Sequence, residues 1–133
     1  ISDNEIEFMT GTSDFDKGAN ILMERYPNIK LLNITDGADG SYSYYREIRA
    51  YVPSYLLGGT IDTTGAGDTF CGSVLNYLLD HDLENLSKEN LIEMLQIANA
   101  AAYLVTTKKG AIRSMPDPKD VQKVVNNNYI RED

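Results

Sequence analysis

Apolar positions along the chain follow two periods. Phe15, Ala19, Leu22 and Tyr26 recur at intervals of four, three and four, one face of a helix predicted over Asp14 to Tyr26, and Pro27 ends it. Ahead of that helix, Ser2 or Asp3 caps a shorter one that reaches Phe8-Met9 and stops at Gly11. Ile29 to Ile34 is short and almost wholly apolar, the pattern of a strand covered on both faces. Thr35-Asp36-Gly37-Ala38-Asp39-Gly40 is turn chemistry, and Ser41 to Tyr45 and Glu47 to Val52 read as two further strands before a loop over Pro53 to Gly59. The helical period then returns. Phe70, Val74 and Leu78 form a stripe, with Leu75 and Leu79 beside it, in a helix predicted from Ala66 to Leu79. A fourth helix opens at Ser87, with Asn90 three residues on, and carries Leu91, Leu95, Ala98, Ala102 and Val105, with Gly110 after its end. Asp117 to Asn127, behind Pro116, is a last helix. This succession is an α/β pattern, with too few elements for a complete large sheet. The chain begins at Ile1, with cap residues already at Ser2-Asp3, so an absent N-terminal part of the protein is expected.

Composition narrows the function classes. A chain of 133 residues, 42% apolar, can bury about 68% of its unfolded surface in one domain. The net charge is −8 and no Lys/Arg run exceeds two residues, which argues against nucleic acid as a partner. ATP stays compatible, because loops and helix ends bind phosphates without many cations. The single cysteine, Cys71, is expected to be packed beside Gly72, and it excludes an internal disulfide framework, which suits a cytoplasmic protein. One His and one Cys argue against a zinc site. No apolar run reaches the ~18 residues of a membrane span. Tyr42, Tyr44, Tyr45 and Tyr51 are expected to cover a sheet face or a subunit surface.

The strongest chemical signal is Asp62-Thr63-Thr64-Gly65-Ala66-Gly67-Asp68-Thr69-Phe70. Small residues at a helix start let a ligand approach the backbone, and unpaired N–H groups there can hold an anion. Asp68 can take a hydroxyl proton beside that anion; the plainer alternative is that it merely caps the helix. A Walker A loop is excluded because Asp68 stands where Lys is needed, and the dinucleotide fingerprint is excluded because Phe70 replaces its third glycine.

Asp62 to Phe70 resembles the second signature of the ribokinase/fructokinase-type carbohydrate kinases, the pfkB family. The resemblance extends from Asn4 through Thr10-Gly11 to Ser114-Met115-Pro116 and corresponds to the C-terminal part of a family member. It implies a three-layer α/β/α, Rossmann-like (ribokinase-like) fold, with residues 1–133 supplying the ATP site and catalytic base, and the absent part supplying most sugar contacts and the lid. The implied activity is ATP-dependent phosphorylation of a sugar, with fructose favoured over ribose, a nucleoside or 2-keto-3-deoxygluconate. A non-catalytic nucleotide-binding fragment is the rival reading.

Carried over, Asp68 is the base, and Gly65, Ala66 and Gly67 form the anion hole. Thr35, Gly37 and Gly40 match the Thr-x-Gly-x-x-Gly turn that meets nucleotide phosphates and ribose, with Asp36 where an apolar residue is commoner; without the motif downstream this is an ordinary hairpin entry. Asn99 lines the adenine pocket, or else is a solvent-facing residue of an Ala-rich helix. Asp62 and Thr64, with Val105, Lys108, Gly110 and Ser114, correspond to a potassium site, Lys108 through its carbonyl; alternatively Asp62-Thr63-Thr64 only cap a turn. Glu5 aligns with the glutamate of the magnesium motif, Ser2 replacing its Asn, with Glu7 as the second choice and a solvated acidic helix face as the plain alternative. ATP and Mg2+ follow as cofactors, K+ as an activator, and self-association or pairing with the missing part as the expected assembly.

Overall fold

The computed structural model describes residues 1–109 and 116–129 of the chain. Helix α1 (Asp3–Thr10) starts with a reciprocal cap: the Ser2 hydroxyl accepts from the Glu5 N–H, and the Glu5 carboxylate accepts from the Ser2 N–H. It ends at Gly11 in the left-handed conformation. Asp14 caps α2 (Phe15–Arg25), and Gly18 packs so closely on Ile6 of α1 that a Cβ there would lie 2.7 Å from the Ile6 side chain. Tyr26, expected on the buried helix face, instead caps the end of α2 and is exposed.

Three strands follow, β1 (Leu31–Thr35), β2 (Ser41–Tyr45) and β3 (Ile48–Val52), in an antiparallel sheet of order β1-β2-β3. Strand β1 departs from the expectation of a strand from Ile29 covered on both faces. It begins at Leu31 and alternates, with Leu32 and Ile34 buried and Leu31, Asn33 and Thr35 half-buried. The reason is its antiparallel pairing with β2, which sets Asn33 opposite Ser43, whose hydroxyl donates to the Asn33 side chain at 2.6 Å. Glu47, expected in the third strand, belongs to the turn instead, and Arg46 beside it takes a left-handed φ of 52°.

The pleat divides the core into layers. Leu32, Ile34 and Tyr44 face Ile6, Ala19 and Leu22 of α1 and α2. Tyr45, Ala50 and Val52 face the opposite way, onto α3 (Ala66–Leu79) and α4 (Lys88–Thr106). Helix α5 (Pro118–Tyr129) packs Val121, Val124 and Val125 on α4 beside Tyr55. The expected three-layer α/β/α arrangement is therefore present. Within α3 the buried stripe is Phe70, Val74 and Tyr77; Leu78 is only half-buried, and Leu75, Leu79 and Cys71 face solvent. The contact with α4 selects Tyr77 because its hydroxyl reaches Glu93 and Asn90 of that helix. Cys71, on the far face, is not packed. Tyr42 and Tyr44 lie on the α2 face of the sheet, Tyr45 on the other, and Tyr51 is exposed against Tyr42. No helix among the described residues is long and apolar enough to cross a membrane.

Candidate functional site

A cavity of about 390 Å³ opens at the end of the sheet where β1 leaves and β3 ends. Its walls come from the turn after β1, the segment after β3, the start of α3 and the second half of α4. Of the residues singled out in the sequence, Thr35, Gly37, Gly40, Ala66, Gly67 and Asn99 all line it, although they are up to 64 positions apart (99 against 35). Gly65, Asp68, Asp62, Thr64, Val105, Lys108 and Glu5 do not line it.

The turn is a single 3-10 turn over Gly37–Asp39, closed by Asp36 N–H to Gly40 O at 2.8 Å. Gly40 has φ 116°, and a Cβ on it would lie 2.3 Å from the Val52 carbonyl oxygen, so only glycine brings β2 this close to the end of β3. Gly37, with φ 52°, has open space where a Cβ would stand. Partial burial, then Asp39 and Asp3, push the Asp36 carboxyl above its ordinary range. This acid sits where the family pattern prefers an apolar residue.

Gly65 caps α3 with φ 82° and no side-chain hydrogen bond, which leaves the helix start to the backbone alone. The Ala66 N–H is already used, donating to Thr63 O at 3.2 Å. The N–H groups of Gly67 and Asp68 belong to the first turn, which has no acceptors of its own helix to offer them. A Cβ at Gly67 would meet nothing within 4 Å, so its absence serves no packing need of the fold and leaves room in the cavity wall. Asp68 follows on the same turn with its side chain exposed. Donors for an anion and an exposed carboxylate thus share one helix terminus.

Asn99 is not solvent-facing: it is 7% exposed, with its amide inside the wall. The potassium-type residues are partly assembled. The N–H groups of Ile61 and Asp62 donate to Thr106 O at 2.8 and 3.1 Å, which fastens the Asp62–Thr64 loop to the end of α4, where Val105 is fully buried and Lys108 is exposed. Asp62 Oδ1 accepts from the Thr64 N–H at 2.9 Å. Carbonyl oxygens at a helix C-terminus and a carboxylate make that corner electronegative, which fits a cation. Gly110 and Ser114 lie outside the described residues. Glu5 stands on the first turn of α1, whose start is bound to the same end of β1: the N–H of Thr35 donates to Ile1 O at 2.9 Å. The Glu5 carboxylate is engaged by the Ser2 N–H at 2.7 Å, and that bond holds its pKa below the ordinary value. Glu7 is exposed on α1. Among the described residues no group of three or more His, Cys, Asp or Glu is placed to hold a metal ion.

The sequence reading passed over Tyr103 and Thr106, which share a face of α4 with Asn99 at spacings of four and seven. The Tyr103 hydroxyl donates to Gly58 O at 2.7 Å and so holds the loop after β3. That spacing of polar residues in the otherwise apolar second half of the helix was the available signal.

The sequence matches the family model described as pfkB family carbohydrate kinase over residues 1–118. Fructokinase-1 of rice, Oryza sativa subsp. japonica, is 37% identical over 125 residues, which cover 94% of this chain and 38% of the rice protein. The structure superimposes on fructokinase of Vibrio cholerae O395 in its fructose-, ADP- and calcium-bound form with a TM-score of 0.80 at 30% identity, covering 93% of this chain and 39% of that one. For Arabidopsis thaliana ribokinase complexed with ribose and ATP the TM-score is 0.75 at 31% identity, with the same coverage of 93% and 39%. The chain therefore spans less than two-fifths of the length of these relatives, and its fold is the corresponding part of the ribokinase-like fold.

Proposed function

This chain belongs to the pfkB family of carbohydrate kinases, and we propose that it forms the ATP-binding and catalytic-base portion of a kinase that phosphorylates a sugar hydroxyl, with fructose as the acceptor. The observation that carries the reading is the single cavity joining the Thr35–Gly40 turn to Ala66 and Gly67 at the start of α3. The turn meets the phosphates and ribose of ATP, and Asn99 and Ala102 flank the adenine pocket. ATP enters as its magnesium complex, since Mg2+ binds through phosphate oxygens and few protein carboxylates; a role for Glu5 on that ion would be additional to its capping bond.

In the reaction, the Asp68 carboxylate accepts the proton of the sugar hydroxyl as that oxygen attacks the γ-phosphorus and the bond to the β-phosphate oxygen breaks. The N–H groups at the start of α3, with Gly65, Ala66 and Gly67 as the small residues that admit the substrate, stabilise the charge on the transferring phosphoryl group. Asp62, Thr64 and the carbonyls of Val105 and Lys108 would hold potassium, which would add positive field at that helix start; Gly110 and Ser114, the other residues expected there, lie outside the described residues. Fructose is favoured because the curated relatives include fructokinases of rice and maize at 35–37% identity.

Isothermal titration of the 133-residue chain with Mg·ATP and with fructose tests the division of labour. Saturable ATP binding without fructose phosphorylation is expected. Turnover by these residues alone would overturn the assignment of the sugar contacts to another part of the protein, and absence of nucleotide binding would overturn the site itself. In the protein that carries the whole kinase, fructose should be phosphorylated in preference to ribose; the reverse preference would overturn the acceptor.

A further inference from the structure

We propose that Asn99 is a positioning residue for the nucleotide turn and not a reader of the nucleobase: its buried amide clasps the ends of β2 and β3 and thereby sets where the Thr35–Gly40 turn stands over the cavity. The proposal rests on the nucleotide reading of that cavity. It begins with the hydrogen-bond inventory of one side chain. Ser41 Oγ donates to Asn99 Oδ1 at 2.8 Å, and Asn99 Nδ2 donates to Val52 O at 3.1 Å and Pro53 O at 3.2 Å. A primary amide has two N–H donors, and both have carbonyl acceptors here, so none is left for a base. Two carbonyls on one side also fix which end of the amide is nitrogen. Ser41 is 0% exposed and does not line the cavity, so its hydroxyl serves the clasp alone.

What the clasp holds is the support of the turn. The Val52 carbonyl that Asn99 grips is the atom on which Gly40 rests, at a separation that admits no Cβ. Two residues further, the Ser54 hydroxyl donates to Gly37 O at 2.8 Å, and one residue before, the Tyr51 hydroxyl donates to Asp39 O at 2.6 Å. The segment from Tyr51 to Ser54 therefore carries the turn from both sides, and Asn99 pins that segment to α4. Loss of the clasp would let the turn move relative to the start of α3, which would loosen the grip on phosphates whatever base the nucleotide carries.

The test uses Ser41→Ala, which removes one bond of the clasp without touching the cavity, and Asn99→Asp, which keeps the Ser41 bond but replaces both donors to the carbonyls by a carboxylate oxygen. Amide hydrogen exchange followed by NMR needs no ligand. In Ser41→Ala the amides of Asp36, Asp39 and Gly40 should exchange about five- to tenfold faster, the ratio expected for one net hydrogen bond, and in Asn99→Asp, which loses two, faster still, while the amides of α1 and α2 keep their rates in both. ADP and GDP affinities should fall together, so that their ratio stays within about twofold of the parent chain. A uniform rise in exchange, or none at the turn, would overturn the proposal; so would an ADP-to-GDP ratio that changes in Asn99→Asp while Ser41→Ala binds both as before. A parent chain that binds neither nucleotide would refute the proposed function, and the exchange rates alone would then decide the role of Asn99.

Discussion

Gly67 and Gly40 show at the residue scale how differently two glycines of one cavity serve. Gly67→Ala should leave the melting temperature within about 2 °C of the parent, because a Cβ there meets nothing, yet weaken nucleotide binding by intruding on the cavity wall. Gly40→Ala should destabilise the fold by more than about 2 kcal/mol, since it forces a left-handed residue against the Val52 carbonyl. Thermal melts with and without ADP check both; a destabilised Gly67→Ala with normal ADP affinity would contradict the assignment. Asp36 gives a pH-dependent prediction. Its folded pKa is raised above the 3.8 of the free carboxyl, so the folded state binds the proton more tightly, and stability falls as pH rises from there through the folded pKa. Asp36→Asn should therefore raise stability at neutral pH, with the gain vanishing below about pH 4. A gain that persists at pH 3 would mean that charge is not its cause. The motif from Asp62 to Phe70 was legible as chemistry because residue types carry it. The partners of Asn99 were not, because Ser41, Val52 and Pro53 reach it through tertiary contacts 58, 47 and 46 positions away.

At the scale of elements, the α-helices among the described residues were readable, α2, α3 and α4 from their period and α1 and α5 from a cap or the proline ahead, and the differences lie where neighbours decide. The caps at Ser2 and Ser87 are the residues whose side chains accept from the helix backbone. Ser2→Ala should cost about 1 kcal/mol by denaturant titration, and Glu5→Gln less, since an amide oxygen can still accept from Ser2; a larger cost for Glu5→Gln would show that its charge has another partner. The stripe of α3 shifted from Leu78 to Tyr77 because α4 offers polar partners to a phenol. Strand β1 is fully buried on one face only; on the other, Leu31 packs against the α3–α4 core but stays half-buried, a difference that an apolar run does not reveal.

The whole molecule leaves apolar side chains in water: Phe8 is 91% exposed and Leu79 84% exposed, with Leu75 on the same helix as Leu79. Exposed apolar surface of this kind favours association, so the isolated chain should run above its 14.8 kDa mass by light scattering at tens of micromolar; a monodisperse monomer would contradict this. The α/β class was foreseeable from the order of elements and the three layers from the family resemblance, whereas the cavity needed the fold, since its walls come from four separate stretches. The account depends most on Asp68 as the base beside the anion site. The direct test is Asp68→Asn in the protein that carries the whole kinase, measured for kcat and ADP affinity together. The account predicts a fall in kcat of about 10²- to 10⁴-fold with ADP affinity within about twofold; turnover near that of the parent enzyme would contradict it.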